Sequence, residues 1–168
     1  MTPMIESMLN EFRGESAITK RVLAKVPADR LTWKPHPKSM SLGQLALHIA
    51  ANPGSVSNIA QQDEFDAAQI NFNPPEPRNL EEIHATFEQS VSAGERCLGE
   101  MTEQQATGNW RLTLNGRQIF VKPRVAVLRE IMLSHWYHHR GQLSVYLRLL
   151  DIPVPTIYGP SADENPLA

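Results

Sequence analysis

Apolar residues fall along this chain in four long stripes of helical period, separated by stretches rich in proline. Met4, Ile5, Met8, Leu9, Phe12, Ile18, Val22 and Leu23 recur at spacings of three, four or their sums, one apolar face on a first helix. Thr2-Pro3 marks its start, a hydroxyl at the N-cap followed by proline at the first helical position, and Pro27 stops it. Residues 27–40 read as a loop with Pro27, Pro35 and Pro37, plugged by Trp33. Ser41-Leu-Gly-Gln44 is a capping box that opens a second helix, whose buried face is Leu42, Leu45, Ile49 and Val56. Pro53-Gly54 is expected to kink or split that helix. Residues 63–78 are polar, end in Pro74-Pro75-Glu-Pro77 and read as a loop. Asn79-Leu-Glu-Glu82 caps a third helix in the same style, with Leu80, Ile83, Phe87, Val91 and Leu98 as its stripe to about Met101.

A different pattern follows. Trp110–Leu114 and Arg117–Val121 alternate apolar and polar around Asn115-Gly116, the strongest short signal for a hairpin. Two strands alone are marginal, so this hairpin must pack on something. The fourth helix is expected from about Pro123 to Leu150, roughly 40 Å long at the usual rise per residue. Val127, Leu128, Ile131, Met132, Leu143, Tyr146, Leu147 and Leu150 form its apolar face, and Asp151-Ile-Pro153 ends it. The tail 153–168, with Pro153, Pro155, Pro160 and Pro166, should be an extended cover. Four helices with one stripe each can bury those stripes only against one another. The expectation is therefore an all-α four-helix bundle, one domain over residues 1–168, with a small β-hairpin between helices 3 and 4.

Composition narrows the function. The 168 residues are 41% hydrophobic, enough for a real core, and 16 basic against 18 acidic side chains leave a net charge of −2. That balance points to no nucleic-acid partner and no acidic membrane. Arg111, Arg117, Lys122, Arg124 and Arg129 form a loose basic group, read as solvated surface charge. Cys97 is the one cysteine, so no intramolecular disulfide staples the fold; it reads as a small core residue in a reducing, cytoplasmic setting. The first residues show no secretory pattern, and no apolar run is long enough to span a membrane.

The chemistry lies in the histidines. In Ser134-His-Trp-Tyr-His-His-Arg-Gly-Gln142, His135 and His139 lie about 40° apart on successive turns, so both imidazoles can reach one ion. They share the direction of Leu128, Ile131, Met132 and Tyr146, whereas His138 lies at the edge of that face, toward a rim or a partner subunit. Burying unpaired ring nitrogens costs about 1–3 kcal/mol each, which favours a ligand for them. His48, on the buried side of helix 2 between Leu45 and Ile49, supplies a third. Three neutral imidazoles leave open coordination positions, as in catalytic rather than structural zinc-type sites, and suit Zn, Ni, Cu or Fe. Gln44, Asn52 and Gln142, one turn away from these rings, are candidates to orient a ligand or a bound water. Arg140 points elsewhere and reads as a structural ion pair, and Gly141 suggests close approach of a helix or subunit. His36 and His84 are assigned to no metal.

The same residues carry a resemblance. Trp33-Lys-Pro35, Ser41-Leu-Gly-Gln-Leu-Ala-Leu-His48-Ile, His135-Trp-Tyr-His-His139-Arg-Gly-Gln-Leu143 and Pro153-Val-Pro-Thr-Ile-Tyr-Gly-Pro160 resemble the DinB-like (YfiT-like) metalloenzyme superfamily over nearly the whole chain. The resemblance implies an up-down-down-up bundle, commonly dimeric, holding one divalent ion, nickel or zinc, on three histidines that carry over to His48, His135 and His139. The family name reflects DNA-damage induction of bacterial members and implies no DNA binding. Some relatives are transferases or isomerases that use low-molecular-weight thiols. Three functions compete: a metal-dependent transferase or hydrolase; a non-catalytic metal-binding or stress-related protein acting through its dimer surface; and a plain helical interaction domain whose histidines are structural. No general acid or base is identifiable; Asp163 and Glu164 are the candidates, against a plain solvated terminus. The hairpin is expected to cover the mouth of the site.

Overall fold

The computed structural model describes residues 2–71 and 73–165, and their chain is mostly helical with a small three-stranded sheet. Helix α1 (Pro3–Leu23) begins at Thr2, but the Thr2 hydroxyl is buried without a partner, so proline rather than a side-chain cap sets this end. Ile5, Met8, Leu9, Phe12, Val22 and Leu23 are buried as expected, whereas Met4 is exposed and Ser16 and Thr19 take places in the buried face. Their hydroxyls return to the Phe12 and Glu15 carbonyls four residues back, which lets polar residues sit there at little cost.

Helix α2 (Leu42–Ala60) opens on the Ser41–Gln44 capping box, with both reciprocal bonds present. It is not split at Pro53. Proline has no N–H for the Ile49 carbonyl four residues back. The indole Nε1–H of Trp136 donates to that carbonyl instead, at 2.8 Å. The next N–H, of Gly54, donates to Ser90 Oγ at 2.6 Å on the neighbouring helix. A Cβ at Gly54 would lie 3.0 Å from the Ser90 Cα, so glycine permits this close approach.

Helix α3 (Leu80–Glu100) starts where Asn79 Oδ1 accepts the Glu82 N–H. The Glu82 carboxylate reaches Arg78, one residue beyond the expected partner. Thr102 and Gln105 form a second complete capping box, opening the short helix α4 (Glu103–Thr107), which the sequence reading passed over.

The hairpin is present as β2 (Asn109–Leu114) and β3 (Arg117–Pro123), with Asn115 and Gly116 both at positive φ in the turn. The expected loop 63–78 contains a third strand, β1 (Glu64–Asp66), parallel to β2. This is a correction, and its reason is distance: Phe65 pairs with Leu112, and nothing local marks a three-residue strand. Asp66 fastens the two parts. Its carboxylate accepts the Ala68, Asn115 and Gly116 N–H groups, which hold it below the ordinary aspartate range.

The last long helix runs without a break through α5 (Arg124–Val127), a π-helical segment (Leu128–Ser134) and α6 (His135–Leu149). The wide turns just before His135 are a feature often found at functional sites. α2 packs on α3 and α6, and α1 on α3 and α6. Arg124 corrects the reading of a solvated basic group. It is buried, and its guanidinium donates to the carbonyls of Ala60, Gln62 and Gln105 and to Asp63 Oδ1. Unpaired carbonyls at helix ends explain why a cation is drawn inside. Arg111, Lys122 and Arg129 pair with Glu64, Glu130 and Glu11. The tail is irregular and covers the core with Val154; Pro166 lies outside the described residues. No helix among the described residues is long and apolar enough to cross a membrane.

Candidate metal centre

Two helices bring the three histidines together. His48 comes from the middle of α2, and His135 and His139 from the first turns of α6. The bond from Trp136 to Ile49 lies one residue from His135 and one from His48, so it fixes the two helices at the site itself. His48 Nε2 and His135 Nε2 are 2.9 Å apart. One ligand atom from each of His48, His135 and His139 lies within 4.8 Å of the others, the one such grouping among the described residues. Ring centroids are 4.3–5.2 Å apart, and the planes are steeply inclined. Zn–N bonds of about 2.0–2.1 Å in a tetrahedron put ligand nitrogens roughly 3.3 Å apart, so these rings fit one divalent ion with small adjustments.

Electrostatics favours ligand-competent imidazoles. Burial pushes all three below the ordinary histidine value of 6.5, and His139 falls to about 4. The rings are therefore neutral near pH 7, with lone pairs available. Gln142 Oε1 lies 2.7 Å from His139 Nδ1. The amide oxygen can only accept, so Nδ1 carries the proton and Nε2 is the ligand atom.

The other predicted residues fall as follows. Asn52 is buried and donates to the Met132 carbonyl at 2.8 Å, inside the π-helical segment. Gln44 belongs to its capping box and donates to the Pro74 carbonyl, with no bond to His48. His138 is exposed, its ring centroid 5.0 Å from that of His139. His36 and His84 are exposed and outside the cluster. Arg140 is buried, paired with Glu15, bonded to Thr19 and Tyr158 and placed against the Tyr137 and Tyr158 rings. Asp163 and Glu164 do not reach the histidines. Asp163 pairs with Arg148 and accepts the Val154 N–H, and Glu164 pairs with Arg21 and accepts the Thr156 N–H, so both strap the tail.

A cavity of about 460 Å³ opens beside the cluster. Its outer wall comes from Phe65, Ile70, Asn71 and Pro74, not from the hairpin. The hairpin acts indirectly, by pairing with β1 and holding Asp66. Sequence reading missed this wall because its residues lie in a polar, proline-rich stretch with no periodicity.

The profile of the DinB family matches residues 1–166. The chain belongs to the DinB family. The Bacillus subtilis (strain 168) protein YrdA is 25% identical over 164 residues, covering 98% of this chain and 93% of that protein. A DinB-like protein from Bacillus cereus ATCC 10987 has a similar crystal structure, with TM-score 0.70, 24% identity, and coverage of 91% of this chain and 97% of that one. The mycothiol-dependent maleylpyruvate isomerase shares the fold at TM-score 0.53 and 18% identity, over 87% of this chain and 62% of that one. DinB membership thus accounts for the helical framework around the three histidines.

Proposed function

We propose that this DinB family protein is a metal-dependent enzyme that holds one divalent ion, nickel or zinc, on His48, His135 and His139. The convergence of three half-buried, neutral imidazoles from two helices carries the reading. When bound, a divalent ion on three neutral ligands supplies a strong local charge that lowers the pKa of a coordinated water or thiol. Gln142 holds the His139 tautomer, and the bond between Trp136 and Ile49 keeps the helices in place. No carboxylate, lysine, tyrosine or cysteine is among the described residues lining the cavity. A nucleophile that ionises readily needs no protein base, so transfer to or from a low-molecular-weight thiol is the preferred reaction over hydrolysis. The fold relation to a mycothiol-dependent isomerase supports this choice.

The proposal includes a single up-down-down-up four-helix bundle, working in the cytoplasm as a homodimer. The exposed side of α6 supports the dimer: Val145 and Leu149 lie there, and a Cβ at Gly141 would meet no described atom within 4 Å outside its own helix backbone. The same lack of an acid–base group favours a second reading, a metal-binding protein without turnover that acts through that surface.

Metal analysis of protein purified from nickel- and zinc-supplemented cells should find about one ion per chain. His135→Ala should lose it while keeping the helical circular dichroism. Loaded protein should then accelerate thiol addition to electrophiles relative to metal-free protein. Absence of bound metal overturns the site, and a metal-bearing protein inactive with every thiol leaves the second reading.

A further inference from the structure

The cavity beside the histidines also constrains its occupant; this inference rests on reading that cavity as the substrate site. Met40, Val56, Ile59, Phe65, Ile70 and Ile131 make most of its wall apolar, and no charged side chain is among its described lining residues. Its volume lies in the usual range for small-molecule sites. Along the wall away from the histidines, a charged ligand would lose hydration with no side chain of opposite charge to meet it.

One lining group is polar, buried and incompletely bonded. Asn52 sits one helical turn beyond His48 and is only 6% exposed. Its Nδ2 donates to the Met132 carbonyl at 2.8 Å. A carbonyl can only accept, so this bond fixes which end of the amide is nitrogen. Among the described residues nothing donates to Oδ1, yet this oxygen is not sealed off from solvent, and the side chain lines the cavity. The other polar lining residues differ: Asn71 Oδ1 already accepts the Asn73 N–H, and Ser55 is exposed. We propose that the cavity takes an uncharged, largely apolar small molecule carrying one hydrogen-bond donor, which Asn52 Oδ1 accepts beside the histidine cluster.

Three fluorescent probes of nearly one shape test this on the full chain. N-phenyl-1-naphthylamine is uncharged and has one N–H donor; its N-methyl derivative lacks the donor; 8-anilinonaphthalene-1-sulfonate keeps the N–H and adds a charge. The neutral amine should bind with enhanced fluorescence. The N-methyl derivative should bind about tenfold more weakly, one hydrogen bond's worth, and the sulfonate at least as much more weakly. Asn52→Ala should erase the difference between the amine and its N-methyl derivative. Phe65→Asp, on the outer wall, should weaken binding of the neutral amine and so tests the cavity even where Asn52→Ala fails to fold. Equal binding of all three probes, no binding of the neutral amine, or binding unchanged by Phe65→Asp overturns the proposal. Metal content measured on the same samples separates the two readings. Metal without probe selectivity refutes the ligand class alone, and selectivity without metal refutes the enzyme reading alone.

Discussion

The indole N–H of Trp136 donates to the carbonyl of Ile49 at 2.8 Å, across 87 positions of sequence. It fills the one gap that Pro53 makes in α2 and sits against two of the three histidines. Trp136→Phe should leave that carbonyl unpaired in the core, at a cost of about 1–3 kcal/mol before any loss of packing. Urea denaturation would measure it. Metal affinity should fall as well, because His48 and His135 lose their common brace; an unchanged affinity would show that the brace is not needed.

Gln142 should matter to metal affinity and little to stability. It is exposed, and its bond to His139 is its one tie to the site. Removal of such an orienting partner typically costs 10–100-fold in affinity. Gln142→Leu should show that loss in a chelator competition, while Gln142→Glu, which still accepts the ring N–H, should retain most of the affinity.

Arg140 should be needed for folding, not for chemistry. Its side chain is 1% exposed and that of Glu15, its partner, 13%. Arg140→Met strands the Glu15 carboxylate and should cost about 3–5 kcal/mol. Replacing both, as Arg140→Met with Glu15→Leu, should recover much of the loss in thermal denaturation. A deficit that persists in the double variant would assign the role to the contacts with Tyr137, Tyr158 and Thr19 instead.

Acid should release the tail early. The guanidinium of Arg148 holds the Asp163 carboxyl below its ordinary 3.8, and the Thr156 N–H holds that of Glu164 below its ordinary 4.5. For depressed carboxyls the stabilisation is fully present above those ordinary values and is lost as the pH falls through the lower, folded-state values. Protection from amide exchange at Val154 and Thr156, relative to the intrinsic rate at each pH, should therefore fall below about pH 4, ahead of the core helices, and high salt should enhance the effect. Asp163→Asn should show fast exchange at Val154 already at neutral pH.

Much of this architecture was legible as period and punctuation. The stripes of α1 to α3, the Ser41–Gln44 capping box, the Asn115-Gly116 turn and the placement of His135 and His139 one turn apart all follow from local rules of backbone geometry. Local rules also misled. Pro53 reads as a break because its missing N–H is visible, while the indole that replaces it comes from another helix. Arg124 reads as solvated because its charge is visible, while the carbonyls it serves appear only once the ends of α2 and α4 meet. Strand β1 carries too few residues to show an alternation, and its partner lies far along the chain.

Which faces of the helices are apolar, and which histidines can share a direction, can be read from the chain before it folds, since each depends on neighbours within a turn. Only the packing of separate elements settles that the His48 ring meets the other two, that Phe65, Ile70, Asn71 and Pro74 wall the cavity, and that Asn52 keeps an oxygen open to it. Those outcomes depend on how separate helices pack and on where long-range hydrogen bonds form, and no short stretch of chain encodes either.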